Sequence, residues 1–176
     1  MIRFLTVPAA VAAATLALAV APAQAANLIE TLEGNADYST FVEAVKASDA
    51  KWFIEEDVEY TALVPTNAAF DALPEGVLDA LLDESNKPAL TMVLEAHVIP
   101  DQVIASDQIE GDMSLDPAAG EPHAVGVMGD TIKIGAANVV EADIEADQGI
   151  AHGINAVLVP QIVADALAYR MERAGQ

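Results

Sequence analysis

The sequence contains no cysteine. A disulfide framework, a cysteine-ligated zinc or iron–sulfur site and a thiolate nucleophile are therefore all excluded. Basic residues are scarce, with 7 Lys and Arg against 28 Asp and Glu, so the formal net charge is −21. Nucleic acids and anionic membrane surfaces are bound through clustered Lys and Arg, and we expect neither as a partner. Aromatic residues make up only 5% of the chain, which predicts a core of aliphatic side chains.

Residues 1–25 have the layout of a cleaved secretory signal peptide. One basic residue, Arg3, precedes an apolar stretch over residues 4–21, and small residues at positions 23 and 25 form an A-x-A cleavage site. A retained membrane anchor is the alternative, because the stretch is barely long enough to span a bilayer. The A-x-A end favours cleavage. The mature chain is predicted to begin at Ala26 and to be secreted or periplasmic, with no membrane insertion after cleavage, since no second long apolar stretch follows.

The first half of the mature chain shows helical periodicity interrupted by one short strand. Apolar residues recur at helical spacing after Asp37, which we expect to cap that helix, and again within residues 77–82 and 90–94. A strand is predicted over residues 60–64. Pro65 ends it, because proline donates no hydrogen bond to a neighbouring strand.

A further helix is predicted directly after that strand. The side-chain oxygens of Thr66 and Asn67 can accept hydrogen bonds from the N–H groups of a first helical turn. Phe70 and Leu73 then share one apolar face of the helix. We therefore expect the Phe70 ring to be buried.

The second half of the chain has the period of β-strands. Apolar residues alternate on both sides of Gly129-Asp130, which predicts a β-hairpin with a two-residue loop. Further strands are predicted over residues 138–144 and 150–159, and residues 112–122, with two Pro and one Gly, are predicted to be a loop. Helices that precede strands, without βαβ alternation, indicate an α+β domain.

Three stretches together resemble the fasciclin domain family. Residues 60–70, YTALVPTNAAF, resemble that family's strand, Pro-Thr-Asn and Ala-Phe helix motif. Residues 140–144, VEADI, with the following residues 149–160, resemble a second family motif. Between them, residues 94–98 resemble the family's Tyr-His region. Their order and spacing fit one domain over residues 26–160.

The resemblance implies an α+β fold, a fasciclin-like β-wedge of two sheets with several short helices packed over one end. It also implies a role in adhesion or extracellular protein binding rather than catalysis. In animal relatives, integrin contacts are attributed to the Asp-Ile pair and to the Tyr-His region. The candidate partner-binding residues are therefore Asp143, Ile144, His97 and Glu141, and the motif residues expected to build the fold are Pro65, Thr66, Asn67, Phe70 and His152.

Residues 161–176 are predicted to form a C-terminal helical tail. Apolar side chains recur at helical spacing within residues 162–167. We expect this short helix to dock on the domain rather than to be disordered.

Two sets of residues are candidate metal ligands. His97, His123 and His152 are the only histidines, and nothing in their spacing requires a shared metal site. We expect buried imidazoles that bond to the backbone at His97 and His152. Asp143, Glu145 and Asp147 superficially resemble a calcium loop, but Gln148 stands where the EF-hand pattern requires Gly. A solvated acidic face is expected, and weak cation binding by it stays open.

The resulting hypothesis is a non-catalytic module without a cofactor or a resident metal. It would act as a monomer that binds an extracellular or envelope protein or a matrix component. The alternative is a small-molecule or glycan-binding envelope protein, which a deep, mostly apolar pocket with a few convergent polar groups would favour. A hydrolase using two carboxylates is a third option, although no Gly-x-Ser-x-Gly pattern occurs.

Overall fold

The fold is described by a computed structural model for residues 27–48, 50 and 58–174. The predicted signal peptide, residues 1–25, and the predicted start at Ala26 lie outside these residues. The helices are α1 Leu28–Glu33, α2 Ser39–Ala47, α3 Asn67–Asp71, α4 Val77–Leu82, α5 Lys87–Glu95 and α6 Gln161–Ala174. The strands are β1 Tyr60–Pro65, β2 Val98–Pro100, β3 Ser114–Leu115, β4 His123–Met128, β5 Thr131–Ile134, β6 Ala137–Glu145 and β7 Gly149–Ile154. Short 3-10 helices occupy Ala36–Tyr38, Glu84–Asn86 and Ser106–Gln108.

The seven strands are hydrogen-bonded in the order β2-β1-β7-β6-β5-β4-β3. Strands β1 and β7 are parallel, and every other pair is antiparallel. Strand β6 pairs with β5 on one side and with β7 on the other. Its first two residues, Ala137 and Asn138, pair with β5, while residues 139–145 pair with β7 through two register shifts. The predicted α+β class is therefore confirmed, with β6 joining the two parts of the sheet.

Strand β1 is buried on both faces because it separates two hydrophobic clusters. Ala62 and Val64 pack with the helices α1 to α6, whereas Leu63 packs with Ile99 and Ile134 on the other side. An apolar run without polar alternation is what such a doubly covered strand requires. Thr61 is the one polar residue in it.

Helix α3 begins as predicted. The Thr66 side chain accepts a hydrogen bond from the Ala69 N–H at 3.3 Å, which caps the helix. The predicted cap at Asp37 is wrong, because Asn35 caps the 3-10 helix that contains Asp37, and α2 begins only at Ser39. The side-chain oxygen of Asn35, two residues before Asp37, is better placed to accept hydrogen bonds from the first free N–H groups of this turn.

Four further elements differ from the sequence expectation. Helix α1 and strand β2 were not predicted, and residues 112–122 contain the two-residue strand β3. The strand predicted over residues 150–159 ends at Ile154. Beyond Ile154 the chain turns away, since Leu158 N–H donates to a histidine side chain instead of a neighbouring strand.

A helix follows Pro160, as the periodicity predicts. Helix α6 docks through Val163 and Leu167, which are buried in the helical cluster. Among residues 27–48 and 58–174, no helix combines the length and the apolar character needed to cross a membrane. The division into a domain at 26–160 and a tail at 161–176 stays a prediction.

Candidate functional site

The candidate residues divide into a buried group and an exposed group. Phe70, His97 and His152 are 5%, 1% and 0% exposed, and Pro65 is buried with them. Glu141 and Asp143 are exposed on β6, and Ile144 beside them is half-buried against the helical cluster. The resemblance therefore points to residues with two different environments.

His97 connects helix α5 to the segment that follows β7. Its Nδ1 lies 2.7 Å from the Val93 carbonyl oxygen, and its Nε2 accepts a hydrogen bond from Leu158 N–H at 2.9 Å. A carbonyl oxygen only accepts, so Nδ1 carries the proton and the ring is neutral. Burial lowers the pKa of His97 to about 4. Both ring nitrogens are occupied, and the ring has no surface to offer a partner.

His152 performs a similar role for a second segment. Its Nε2 lies 2.8 Å from the Ile104 carbonyl oxygen, so Nε2 carries the proton. Its Nδ1 accepts from Asp143 N–H at 3.3 Å. The ring thus joins β7, β6 and the chain after β2.

Asp143 is bonded to Ser106, 37 residues earlier in the chain. Its carboxylate accepts from Ser106 N–H at 2.7 Å and from the Ser106 hydroxyl. The hydrogen bond from the Ser106 hydroxyl is the main reason that the pKa of Asp143 lies below its usual range. The backbone φ of Asp143 is 59°, a left-handed conformation that Asp tolerates better than most residues. This conformation turns the carboxylate towards the Ser106–Gln108 turn.

Thr61 completes the attachment of this segment, and the sequence analysis did not identify it. Its hydroxyl donates to the Gln102 carbonyl oxygen at 2.8 Å and accepts from Ile104 N–H at 2.9 Å. Thr61, His152 and Asp143, one from each of three adjacent strands, thereby hold residues 102–106. The sequence signal for this role is that Thr61 is a polar residue within the otherwise apolar run of β1.

Glu141 is held by a buried tyrosine. The Tyr38 hydroxyl donates to the Glu141 carboxylate at 2.6 Å. Burial, followed by this hydrogen bond to Glu141, raises the pKa of Tyr38. The Tyr38 ring lies directly over Gly153, where a Cβ atom would be 2.1 Å from the hydroxyl oxygen. A glycine at position 153 is therefore required for the Tyr38–Glu141 contact.

Asn67 has a different role from the cap that was predicted jointly for Thr66 and Asn67. Its Nδ2 donates to the Ala36 carbonyl oxygen at 2.8 Å, and its Oδ1 accepts from Thr40 N–H at 3.0 Å. Thr66 alone caps α3 with its side chain. Asn67 instead joins α3 to the start of α2.

The three histidines and the acidic face do not form a metal site in the described part of the chain. His97, His123 and His152 each bond to a different backbone carbonyl oxygen. Among residues 27–48, 50 and 58–174, no group of three or more His, Asp or Glu side chains is placed to hold a metal ion. Glu145 and Asp147 are exposed.

Two of the clefts among the described residues have room for a small ligand. One, of about 320 Å³, lies between the start of β4, the β5–β6 turn and residues 157–161. The other, of about 440 Å³, lies beside α6 and has only apolar lining residues. Its lining residues are Leu73, Pro74, Val77, Val159, Ala164, Leu167 and Ala168.

Comparisons with known proteins agree with the fold. A family model described as the fasciclin domain matches residues 36–160. Protein sll1483 of Synechocystis sp. is 35% identical over 136 residues, which cover 77% of this chain and 74% of that protein. Transforming growth factor-beta-induced protein ig-h3 of Sus scrofa is 32% identical over 134 residues, covering 76% of this chain but 19% of that protein.

A solved structure has the same fold. A FAS1 domain pair from the insect cell adhesion molecule fasciclin I superposes with a TM-score of 0.66 at 16% sequence identity. The match covers 78% of this chain and 52% of that chain. At this identity the similarity concerns the fold alone.

Proposed function

Because the chain belongs to the fasciclin domain family, we propose that it is a secreted or periplasmic, non-catalytic module that binds an extracellular or envelope protein or a matrix component. The observation that carries this proposal is the position of Glu141 and Asp143 on the exposed side of β6. Asp143 belongs to the Asp-Ile pair at which the family resemblance implies partner contacts, and Glu141 is a further candidate on the same strand. Val140, 57% exposed, lies next to them.

The exposed surface of β6 is organised before any partner arrives. Glu141 accepts from Tyr38, and Asp143 accepts from Ser106, so both carboxylates have fixed orientations. A preorganised surface binds with a smaller loss of side-chain entropy than a mobile one. Val140 adds an apolar contact between fixed polar groups, which is the usual composition of a small protein interface.

The hydrogen-bonding state of the candidate residues argues against general acid–base catalysis by them. His97 and His152 use both ring nitrogens within the fold. A general base needs a lone pair within reach of a substrate proton. Neither imidazole offers one at the surface.

Affinity capture with a matched pair of variants tests the proposal. Val140→Arg changes the β6 surface, and Ile162→Arg places the same side chain on α6, where Ile162 is 67% exposed. From envelope and extracellular extracts we expect the wild type and Ile162→Arg to capture the same partner, and Val140→Arg to capture at least about tenfold less, a loss of about 1.4 kcal/mol. Equal capture by a folded Val140→Arg variant would remove the β6 surface from the proposal.

A small-molecule function has one observation in its favour, the 440 Å³ cleft beside α6. Its volume falls within the range of ligand pockets, about 300–1,000 Å³. Its lining contains no polar side chain that could orient a glycan, so the ligand would be apolar. Saturable fluorescence enhancement of the neutral probe N-phenyl-1-naphthylamine, abolished by Ala164→Leu, is the expected result for this function.

A further inference from the structure

The cleft of about 320 Å³ contains polar side chains that the β6 surface does not use. Three of its lining residues carry polar side chains, namely Glu121, His123 and Gln161. The others are Ala96, Pro122, Gly135, Ala136, Val157, Leu158, Val159 and Pro160. The chemistry of the three polar groups decides what the cleft can bind.

His123 presents a hydrogen-bond acceptor. Its Nε2 lies 2.8 Å from the Ala96 carbonyl oxygen and therefore carries the proton. In the neutral tautomer with this proton, Nδ1 has a lone pair, and none of the hydrogen bonds found among the described residues uses that atom. A Cβ atom at Gly135 would lie 3.5 Å from Nδ1, and Gly135 adopts a φ of 59°. Glycine at position 135 therefore leaves the space beside Nδ1 open.

Gln161 and Glu121 present acceptors as well. One N–H of Gln161 Nε2 donates to the Asp165 carboxylate at 3.0 Å, which leaves Oε1 as a free acceptor and the second N–H as a free donor. The ionised carboxylate of Glu121 is exposed and has acceptor atoms only. All three polar side chains of the cleft thus offer an acceptor to a ligand that donates.

The rest of the lining is apolar, and no Lys or Arg of the described chain belongs to it. A Lys or Arg side chain matches this arrangement, because its head has only donors and its methylene stem packs against apolar surface. The net charge of −21 raises the local concentration of cationic partners around the molecule. A neutral sugar, by contrast, brings several hydroxyl acceptors, for which the side chains of this cleft offer only the second amide N–H of Gln161 as a donor.

We propose that this cleft binds the cationic side chain of a Lys or Arg residue presented by a partner chain. The ammonium or guanidinium group donates to Glu121, to Nδ1 of His123 and to Oε1 of Gln161, while its stem lies along Pro122 and Pro160. The partner in this inference rests on the proposed function as a protein-binding module. The cleft itself is testable without that partner.

An NMR titration of the exported, 15N-labelled protein tests the cleft at a constant ionic strength of about 0.15 M, where diffuse attraction is screened beyond about 8 Å. The probes are Nα-acetyl-lysine N-methylamide, its arginine counterpart and the uncharged norleucine counterpart. We expect the lysine and arginine probes to shift the amides of Gly135, Ala136 and Leu158 saturably, and the norleucine probe to leave them unchanged. Shifts spread over the acidic surface without saturation, or equal binding of norleucine, would overturn the proposal.

A pair of variants and one further probe sharpen the result. Glu121→Gln should weaken the lysine probe about fivefold, whereas Glu110→Gln, an exposed glutamate outside the cleft, should leave the affinity unchanged. Equal weakening by both variants would overturn the site. Putrescine binding more tightly than the lysine probe would make a free polyamine the ligand and overturn the assignment to a partner chain. Saturable lysine binding with no partner capture by β6 would leave this site intact and defeat only the β6 proposal.

Discussion

His97 and Asp143 each hold an irregular segment of the chain to the fold, but one link is buried and the other is exposed. The neutral His97 ring bonds the segment after β7 to α5 without contact with solvent. The charged Asp143 carboxylate bonds the Ser106–Gln108 turn to β6 at the surface. Losing a buried partner leaves polar groups unsatisfied, whereas water replaces an exposed one. The buried candidate residues should therefore control stability, and the exposed ones should control binding.

The largest expected effect is on the buried side, at Phe70. Phe70→Ala removes a ring that packs in the helical cluster, and we expect the free energy of unfolding to fall by about 3–5 kcal/mol. Thr66→Ala, which removes only the cap of the same helix, should cost about 1 kcal/mol. Urea unfolding midpoints measure both variants. A Phe70→Ala variant as stable as the wild type would contradict the expectation that the buried candidate residues control stability.

The next effect is a pH dependence that arises from His97. Its pKa is about 4 in the folded protein and about 6.5 when exposed, so the unfolded chain takes up the proton first as the pH falls. The neutral ring contributes its full stabilisation above about pH 6.5. This contribution is lost as the pH falls towards 4, and no further change from His97 is expected below that pH. The total loss should be about 3 kcal/mol.

The control for this prediction is His97→Gln, whose amide has a donor and an acceptor but does not titrate in this range. Unfolding free energies of wild type and variant are compared from pH 7.5 to 4, since every other titratable group is the same in both proteins. We expect the difference between them to narrow as the pH falls. A constant difference would contradict the buried neutral state of His97.

The smallest effect is expected at the exposed link. Asp143→Asn keeps a residue that tolerates the left-handed backbone but removes the charge, and Ser106→Ala removes the hydroxyl donor. Each substitution should lower the free energy of unfolding by about 1 kcal/mol or less. The two effects should not add up in the double variant, because the two side chains are in contact. Asp147→Asn serves as the exposed control. A loss at Asp143 as large as that at Phe70 would show that the exposed link stabilises the core, and would abolish the contrast.

Much of the local structure follows from local sequence signals. Pro65 ends β1 and Thr66 caps α3 because both effects act within four residues. The β4–β5 hairpin at Gly129-Asp130 follows from alternation and from turn chemistry. The cap at Asp37 was wrong since Asn35, equally suited, stands closer to the first free N–H groups. Local sequence signals do not distinguish between two good capping residues that lie two positions apart, such as Asn35 and Asp37.

The sequence by itself determined the acidic charge, the absence of thiol chemistry, the α+β class, and the family, whose motifs lie at residues 60–70 and 140–160. Only the tertiary structure decided what the candidate residues do. The partner of His97 is 61 residues away, and that of Asp143 is 37 residues away. A hydrogen bond between distant residues depends on how the strands assemble, and neither periodicity nor spacing encodes which N–H group a side chain will meet. The same assembly placed three acceptors in one cleft, a feature with no trace in the linear pattern.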